Sequence, residues 1–234
     1  MNSPTRQRRK DARPQELLDA ALDLFVEKGF AATRSEEVAQ RAGVSKGTLY
    51  LYYPSKEELL KEVVRAHVVN QIAEGLELVR QFEGSTPDLL ATVLLMWWQC
   101  VGETRASGII KLMMSEARNF PEVAQFYQAE VVVPSHEMLA MVLQRGIDRG
   151  EFRPVNVPEV VHALVAPMLF LVMYQHSIGA CEMAERIDPR RFIATQTDLV
   201  LNGLRGGARV TATAVLPPCP ADAQTTLHLG APTR

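Results

Sequence analysis

Apolar residues recur at spacings of three and four along nearly the whole chain, and the strict alternation of a half-buried strand is hard to find. A period near 3.6 gathers side chains on one face of a helix, whereas a strand needs a period of two. The only short β-branched run is Val131–Val133. The pattern predicts an all-α protein. Leu17, Ala21, Leu24 and Phe25 form the apolar stripe of a first helix; Pro14 suits its first turn, and Gly29 its end, because glycine accepts the left-handed conformation that follows a helix. Thr33-Arg34-Ser35-Glu36 has the spacing of a capping box, in which a hydroxyl accepts from the backbone three residues on and a carboxylate reaches back. Ser55-Lys56-Glu57-Glu58 has the same spacing and opens a long helix to about Phe82, roughly 40 Å at the α-helical rise. Further helices are expected at about 88–103, 107–119, 121–149, 157–178 and 189–205, with Pro134 and Pro167 kinking or splitting the two that contain them. From Gly206 to residue 234 the chain turns to proline and small polar residues, which predicts disorder.

Between the two capping boxes lies G-V-S-K-G, Gly43 to Gly47. This matches the G-x-S-x-G of a nucleophile elbow, and Asp148, His162 and His176 follow Ser45 in the order such hydrolases use. An elbow, however, hangs from the end of a strand, and Glu36 to Ala42 reads as a capped helix. The same residues read as a helix-turn-helix: a glycine turn, Ser45 as the cap of a second short helix, and Val38, Ala39, Val44 and Leu49 as the internal contacts. Pro54 stops that helix. Lys46, Gly47, Thr48, Tyr50 and Tyr52 then face outward. Gly47 allows close backbone approach, Thr48 can meet a thymine methyl, Lys46 can reach guanine or phosphate, and the tyrosine hydroxyls and Lys56 suit phosphate oxygens. Each of these residues taken singly is ordinary surface or core; the combination favours DNA.

The net charge of −2 argues against a general polyanion binder. The first thirteen residues differ, with Arg6, Arg8, Arg9, Lys10 and Arg13 against Asp11, and read as a basic arm that follows phosphates or remains solvated. Cys100, Cys181 and Cys219 are too far apart for a disulfide framework and suit a cytoplasmic chain; the N-terminus lacks the apolar stretch of a signal peptide. Val160 to Tyr174 is the most apolar run, shorter than the ~20 residues of a membrane span, and reads as a buried helix.

Thr33 to Leu60, TRSEEVAQRAGVSKGTLYLYYPSKEELL, together with the preceding ELLDAALDLFVEKGF, resembles the DNA-binding signature of the TetR/AcrR family of bacterial transcriptional regulators. The resemblance covers roughly residues 14–62. It implies a homodimer with a three-helix DNA-binding domain and a larger helical domain that binds ligand and dimerises, most often a repressor released from a near-palindromic operator by a small molecule. By position it implies Thr33 as a phosphate contact, Lys46, Gly47, Thr48 and Tyr50 as the recognition-helix face, and Tyr52 and Lys56 as further contacts; Ser45, the cap of that helix, counts with the DNA-binding residues. The chain divides accordingly into a basic arm (1–13), a DNA-binding domain (14–62), a ligand-binding and dimerisation domain (63–205) and a tail (206–234). No enzymatic activity is implied.

All methionines except Met1 fall between Met96 and Met183, and both tryptophans, Trp97 and Trp98, lie in the same half. Methionine adapts to irregular shapes, so this half suits an apolar pocket for a small lipophilic effector; Trp98, Met113, Met114, Met138, Met141, His162, Met168 and Tyr174 are the expected lining. Ordinary core packing is the competing account of each. His136, His162 and His176 form no metal-binding pair, and no metal or cofactor is expected. The all-round apolar character of Val160–Ile178, with the stripe Phe192, Gln196, Leu199, Val200 and Leu204, predicts that helices near 157–178 and 189–205 meet a second copy of the chain. A DNA-binding protein that works without an effector remains the alternative, and would have a solidly packed second half.

Overall fold

Ser45, Ser55, Ser85 and Asp188 each stand at the start of a helix and accept from backbone amides that the helix itself leaves unpaired. The computed structural model describes residues 4–181 and 186–206, with side chains from Pro14 onward. The tail from residue 207, Cys219, Met183 and the side chains of the basic arm lie outside the described residues. The elements are α1 (Pro4–Lys28), α2 (Ser35–Arg41), α3 (Lys46–Tyr52), α4 (Lys56–Val64), α5 (Asn70–Gln81), α6 (Thr86–Trp97), α7 (Ser107–Glu116), α8 (Pro121–Tyr127), α9 (Val133–Asp148), α10 (Val157–Gln175) and α11 (Pro189–Arg205). Among the described residues there is no strand. A small N-terminal helical unit, α1–α3 with the start of α4, sits on a larger all-α body, and one apolar core runs through both.

Three joints are π-helical: Arg65–Val69 between α4 and α5, Trp98–Gly102 after α6, and Gln128–Val132 between α8 and α9. The expected long helix from Lys56 is thus continuous to Gln81 but carries a π turn at its middle. Pro134 stands in the first turn of α9, directly after another π turn, so the predicted 121–149 helix runs on from α8 through that turn without a break; Pro167 lies inside α10 without ending it. One turn before Pro167, the Leu164 carbonyl accepts from Gln196 Nε2 of α11 at 2.9 Å.

Three expectations are corrected. Helix α1 begins at Pro4, so residues 4–13 are helix rather than an irregular arm and Pro14 lies within it; the arm's Arg, Gln, Lys and Ala are good helix formers. The first capping box is shifted by one residue: Arg34 occupies the cap position, and its N–H donates to the Glu37 carboxylate at 3.2 Å. The apolar helix α10 is not buried all round. Val161, Leu164, Met168, Leu171 and Val172 face the core, while Phe170 is 48% exposed. By length and composition Val157–Ala180 would suffice to cross a membrane, yet its buried edge packs on α7, α9 and α11. On α11, Ile193, Gln196, Thr197 and Leu204 turn inward and Leu199, at 68% exposure, turns out, so the predicted stripe is divided between the chain's own core and an open apolar face. Phe170 joins that face to α11 through the Phe192 ring, 5.9 Å away.

Candidate functional site

The helix-turn-helix is built by backbone chemistry at a single glycine. Gly43 has φ +67°, and the two amides that follow α2 fold back on it: Val44 N–H donates to Ala39 O at 2.9 Å and Gly43 N–H to Gln40 O at 3.1 Å. This paired closure is the Schellman arrangement, which requires the left-handed residue that glycine adopts at least cost. Ser45 then caps α3: its Oγ accepts from Thr48 N–H at 3.1 Å and lies 2.9 Å from the Thr48 hydroxyl. The strand required by a nucleophile elbow is missing among the described residues around it. Val38, Ala39 and Leu49 are fully buried behind the two helices.

Outward from this frame stand Ser45, Lys46, Gly47, Tyr50 and Leu51, with Thr48 and Tyr52 half-buried at the edge and Tyr53 turned into the core. Leu51 is 86% exposed, an apolar tip on the face of a short polar helix. A Cβ at Gly47 would meet nothing closer than Ser45 Oγ at 3.8 Å, so nothing within the chain demands glycine there. Lys46 is not free: its ammonium is hydrogen-bonded to the Glu36 carboxylate of α2 and lies 5.8 Å from the Tyr50 ring centre. That bond is the chief cause holding the Glu36 carboxyl below the usual carboxylate range. The sequence reading missed Glu36 as a partner because α2 and α3 meet only through the turn geometry.

Two proposed phosphate contacts face inward instead. Thr33 is 1% exposed; its hydroxyl donates to Gly29 O at 2.7 Å and Leu24 O at 3.1 Å, closing the end of α1. The Lys56 ammonium donates to the carbonyls of Phe30 (2.8 Å), Thr33 (3.1 Å) and Ala31 (3.4 Å), and lies 4.4 Å from the Phe30 ring centre. An ammonium has three donors, and these carbonyls occupy them. Both residues fix the α1–α2 loop rather than presenting free polar groups to a ligand.

The larger body holds a cavity of about 250 Å³ enclosed by α5, α6, α7, α9 and α10. All three π turns reach its wall, through Val68, through Cys100 and Val101, and through Val131 and Val132. A π turn widens a helix locally and is rare enough to mark a functional position. Met114, Met138 and Met168 of the expected residues line this cavity; the other five do not. Trp98 and Met113 are buried in solid core, Met141 and His162 are exposed on the outer sides of α9 and α10, and Tyr174 lies beyond the cavity beside Phe170. Trp97, Met96, Tyr127, Gln71, Glu74 and His136 line it and were missed. Trp97 and Trp98 differ by about 100° around one helix, and nothing in an apolar run tells which of the two faces a void. Burial, with the neighbouring His162, holds the His136 imidazole below its usual range.

Two connections join the cavity to the DNA-facing unit. The helix from Lys56 passes from the Phe30 loop to Val68 and Ile72 in the cavity wall. At its π turn, Arg65 makes a two-pronged pair with Glu130 (2.7 and 2.9 Å) and stacks on Phe126 (4.8 Å), tying this turn to the π turn before α9. Helix α7 is the second connection: it lines the cavity with Ile110 and Met114, and its Gly108 meets α1 so closely that a Cβ would lie 2.5 Å from Val26 Cγ2.

Residues 17–63 match the family described as "Bacterial regulatory proteins, tetR family", and residues 83–188 match "Tetracyclin repressor-like, C-terminal domain". The chain is 30% identical over 152 residues to the HTH-type transcriptional regulator YfiR of Bacillus subtilis, spanning 63% of this chain and 71% of that one. It is 24% identical over 194 residues to the HTH-type transcriptional repressor KstR2 of Mycolicibacterium smegmatis, spanning 82% and 91%. Among solved structures, FadR of Bacillus subtilis in complex with stearoyl-CoA is similar with a TM-score of 0.63 at 18% identity, covering 81% of this chain and 98% of that one. PfmR of Thermus thermophilus gives 0.64 at 24%, covering 81% and 99%. At these identities the structural likeness speaks for the fold.

Proposed function

As a member of the tetR family of bacterial regulatory proteins the chain is a DNA-binding transcriptional regulator, and we propose that it is a repressor released from its operator when a small lipophilic effector enters the cavity. The observation that carries this reading is the cavity itself: a regulator without an effector has no need of a mainly apolar void of about 250 Å³ wrapped by three π turns. One relative supports it by its name as a repressor.

In this reading residues 14–62 form the DNA-binding unit, with Ser45, Lys46, Gly47, Thr48, Tyr50 and Tyr52 as its contact face, and residues 63–205 the effector and dimerisation body. The open apolar face of α10 and α11 meets its equivalent in a second copy, and the two recognition helices read half-sites about 34–36 Å apart on a near-palindrome. The chain acts in the cytoplasm, on DNA. An effector preferring a cavity shape incompatible with operator spacing shifts the population toward it, through the Lys56 helix and α7. The test is selection of bound DNA from random sequence, followed by a screen for release. A palindromic consensus released by hydrophobic compounds supports the proposal; retention of a consensus against every lipophile tried contradicts the effector, and no consensus at all contradicts the DNA face.

A further inference from the structure

The proposed effector site has a charge pattern that narrows its ligand, and this inference rests on that reading. Among the described residues no Lys or Arg lines the cavity. Arg65, one turn before the lining residue Val68, is engaged by Glu62 and by both carboxylate oxygens of Glu130. The one lining side chain that carries a formal charge at neutral pH is the carboxylate of Glu74, on α5. One turn away on the same helix is Gln71, and from α9, which packs against α5, come Ser135 and His136. Glu74 is exposed while Gln71, Ser135 and His136 are half-buried, so the polar end of the cavity is also its wet end. The rest of the wall, from Leu94 and Trp97 to Met168, is apolar.

A carboxylate or phosphate entering head-last would come to rest beside Glu74 with no cation to offset it, and at this wet end like-charge repulsion, weakened but not removed by solvent, disfavours it. An ammonium there gains a partner; a hydroxyl or amide can use Gln71 and Ser135 as donors and acceptors. We propose that the cavity selects amphiphiles by head-group charge, with an apolar body against Trp97 and Met168 and a cationic or uncharged, never anionic, head beside Glu74.

Decylamine, decanol and decanoate share one chain and differ in the head. Calorimetric titration of the protein at neutral pH should rank them in that order, with decanoate a few-fold weaker than decanol. Glu74→Gln, on an exposed position that leaves the core intact, should bring the amine down to the alcohol and narrow the gap to the carboxylate. Met168→Trp should abolish all three. If decanoate binds as well as decanol, or the amine's advantage survives Glu74→Gln, the charge inference falls while the lipophilic-effector reading stands. If none of the three binds, both fall. Binding that persists in Met168→Trp lies outside the cavity and also overturns the inference.

Discussion

The DNA-facing unit and the body behind it are built from the same kind of helix and solve opposite problems. In the first, the core is small and finished: Val38, Ala39 and Leu49 are sealed, α3 and α4 open on serine caps, and the proposed contact residues stand outside. In the second, the surface we propose for the effector is inside, its edges set by π turns and methionines, and the outside includes an apolar face on α10 and α11 with large exposed side chains. A capped frame holds side chains at fixed positions for reading a rigid partner such as DNA, whereas a widened, Met-lined interior can change shape around a ligand. The difference predicts where substitutions act and on which function.

The strongest way to break the division is to attack the open face. Leu199→Glu costs the single chain little, since the side chain is 68% exposed, but in a symmetric dimer it buries two unpaired carboxylates. Sedimentation should show a monomer, and operator affinity should fall roughly 100-fold or more, equivalent to at least about 2.7 kcal/mol. A dimer with unchanged affinity would move the interface elsewhere.

Next in size is the separation of effector response from DNA binding. Met168→Trp overfills the cavity, at a stability cost of about 1–3 kcal/mol, and should abolish release by lipophiles while operator affinity in their absence stays within about threefold. Met141→Trp, on the exposed side of α9, should leave both intact. Loss of release in Met141→Trp would show that the effector binds outside this cavity.

Gly47→Ala sharpens the contrast within the DNA-facing unit. The new methyl has room in the free protein, and α3 gains about 0.8–1 kcal/mol of helix propensity. Melting temperature should rise while operator affinity drops about tenfold, because the methyl occupies space reserved for the partner. A rise in both would remove Gly47 from the DNA face. The smallest effect is expected at Glu36. With Glu36→Gln, Lys46 no longer exchanges one anion for another on binding DNA, so affinity should increase a few-fold; Lys46→Ala should lower the slope of log affinity against log salt by about one contact. Unchanged affinity in Glu36→Gln would mean that the Lys46–Glu36 pair has no bearing on DNA.

The two regions were also unequally legible in the sequence. Helix class, the Gly43 turn and the Ser45 and Ser55 caps were readable because each depends on residues within five positions of one another. The inward turn of Thr33 and Lys56 was not, since beside the local Gly29 contact of Thr33 their partners at Leu24 and Phe30 lie 9 and 26 residues away and only the packed loop brings them together. The cavity lining was legible as a composition, a methionine-rich half, but not residue by residue: Met113 and Met114 are adjacent, and one is core while the other reaches the cavity. Strand or helix is a question of period; which apolar face meets a void depends on how several helices cross.

The central claim is that the cavity and the DNA face are linked, so the most direct measurement is the affinity of the tightest-binding decyl compound for the free dimer and for the dimer saturated with its selected operator. Linkage requires operator DNA to weaken that binding by the same factor by which the compound weakens operator binding, with coupling of about 1–3 kcal/mol, or roughly 5–150-fold. Equal reciprocal factors in that range are the predicted result. Identical affinities with and without operator, for a compound shown by Met168→Trp to occupy the cavity, would contradict the account.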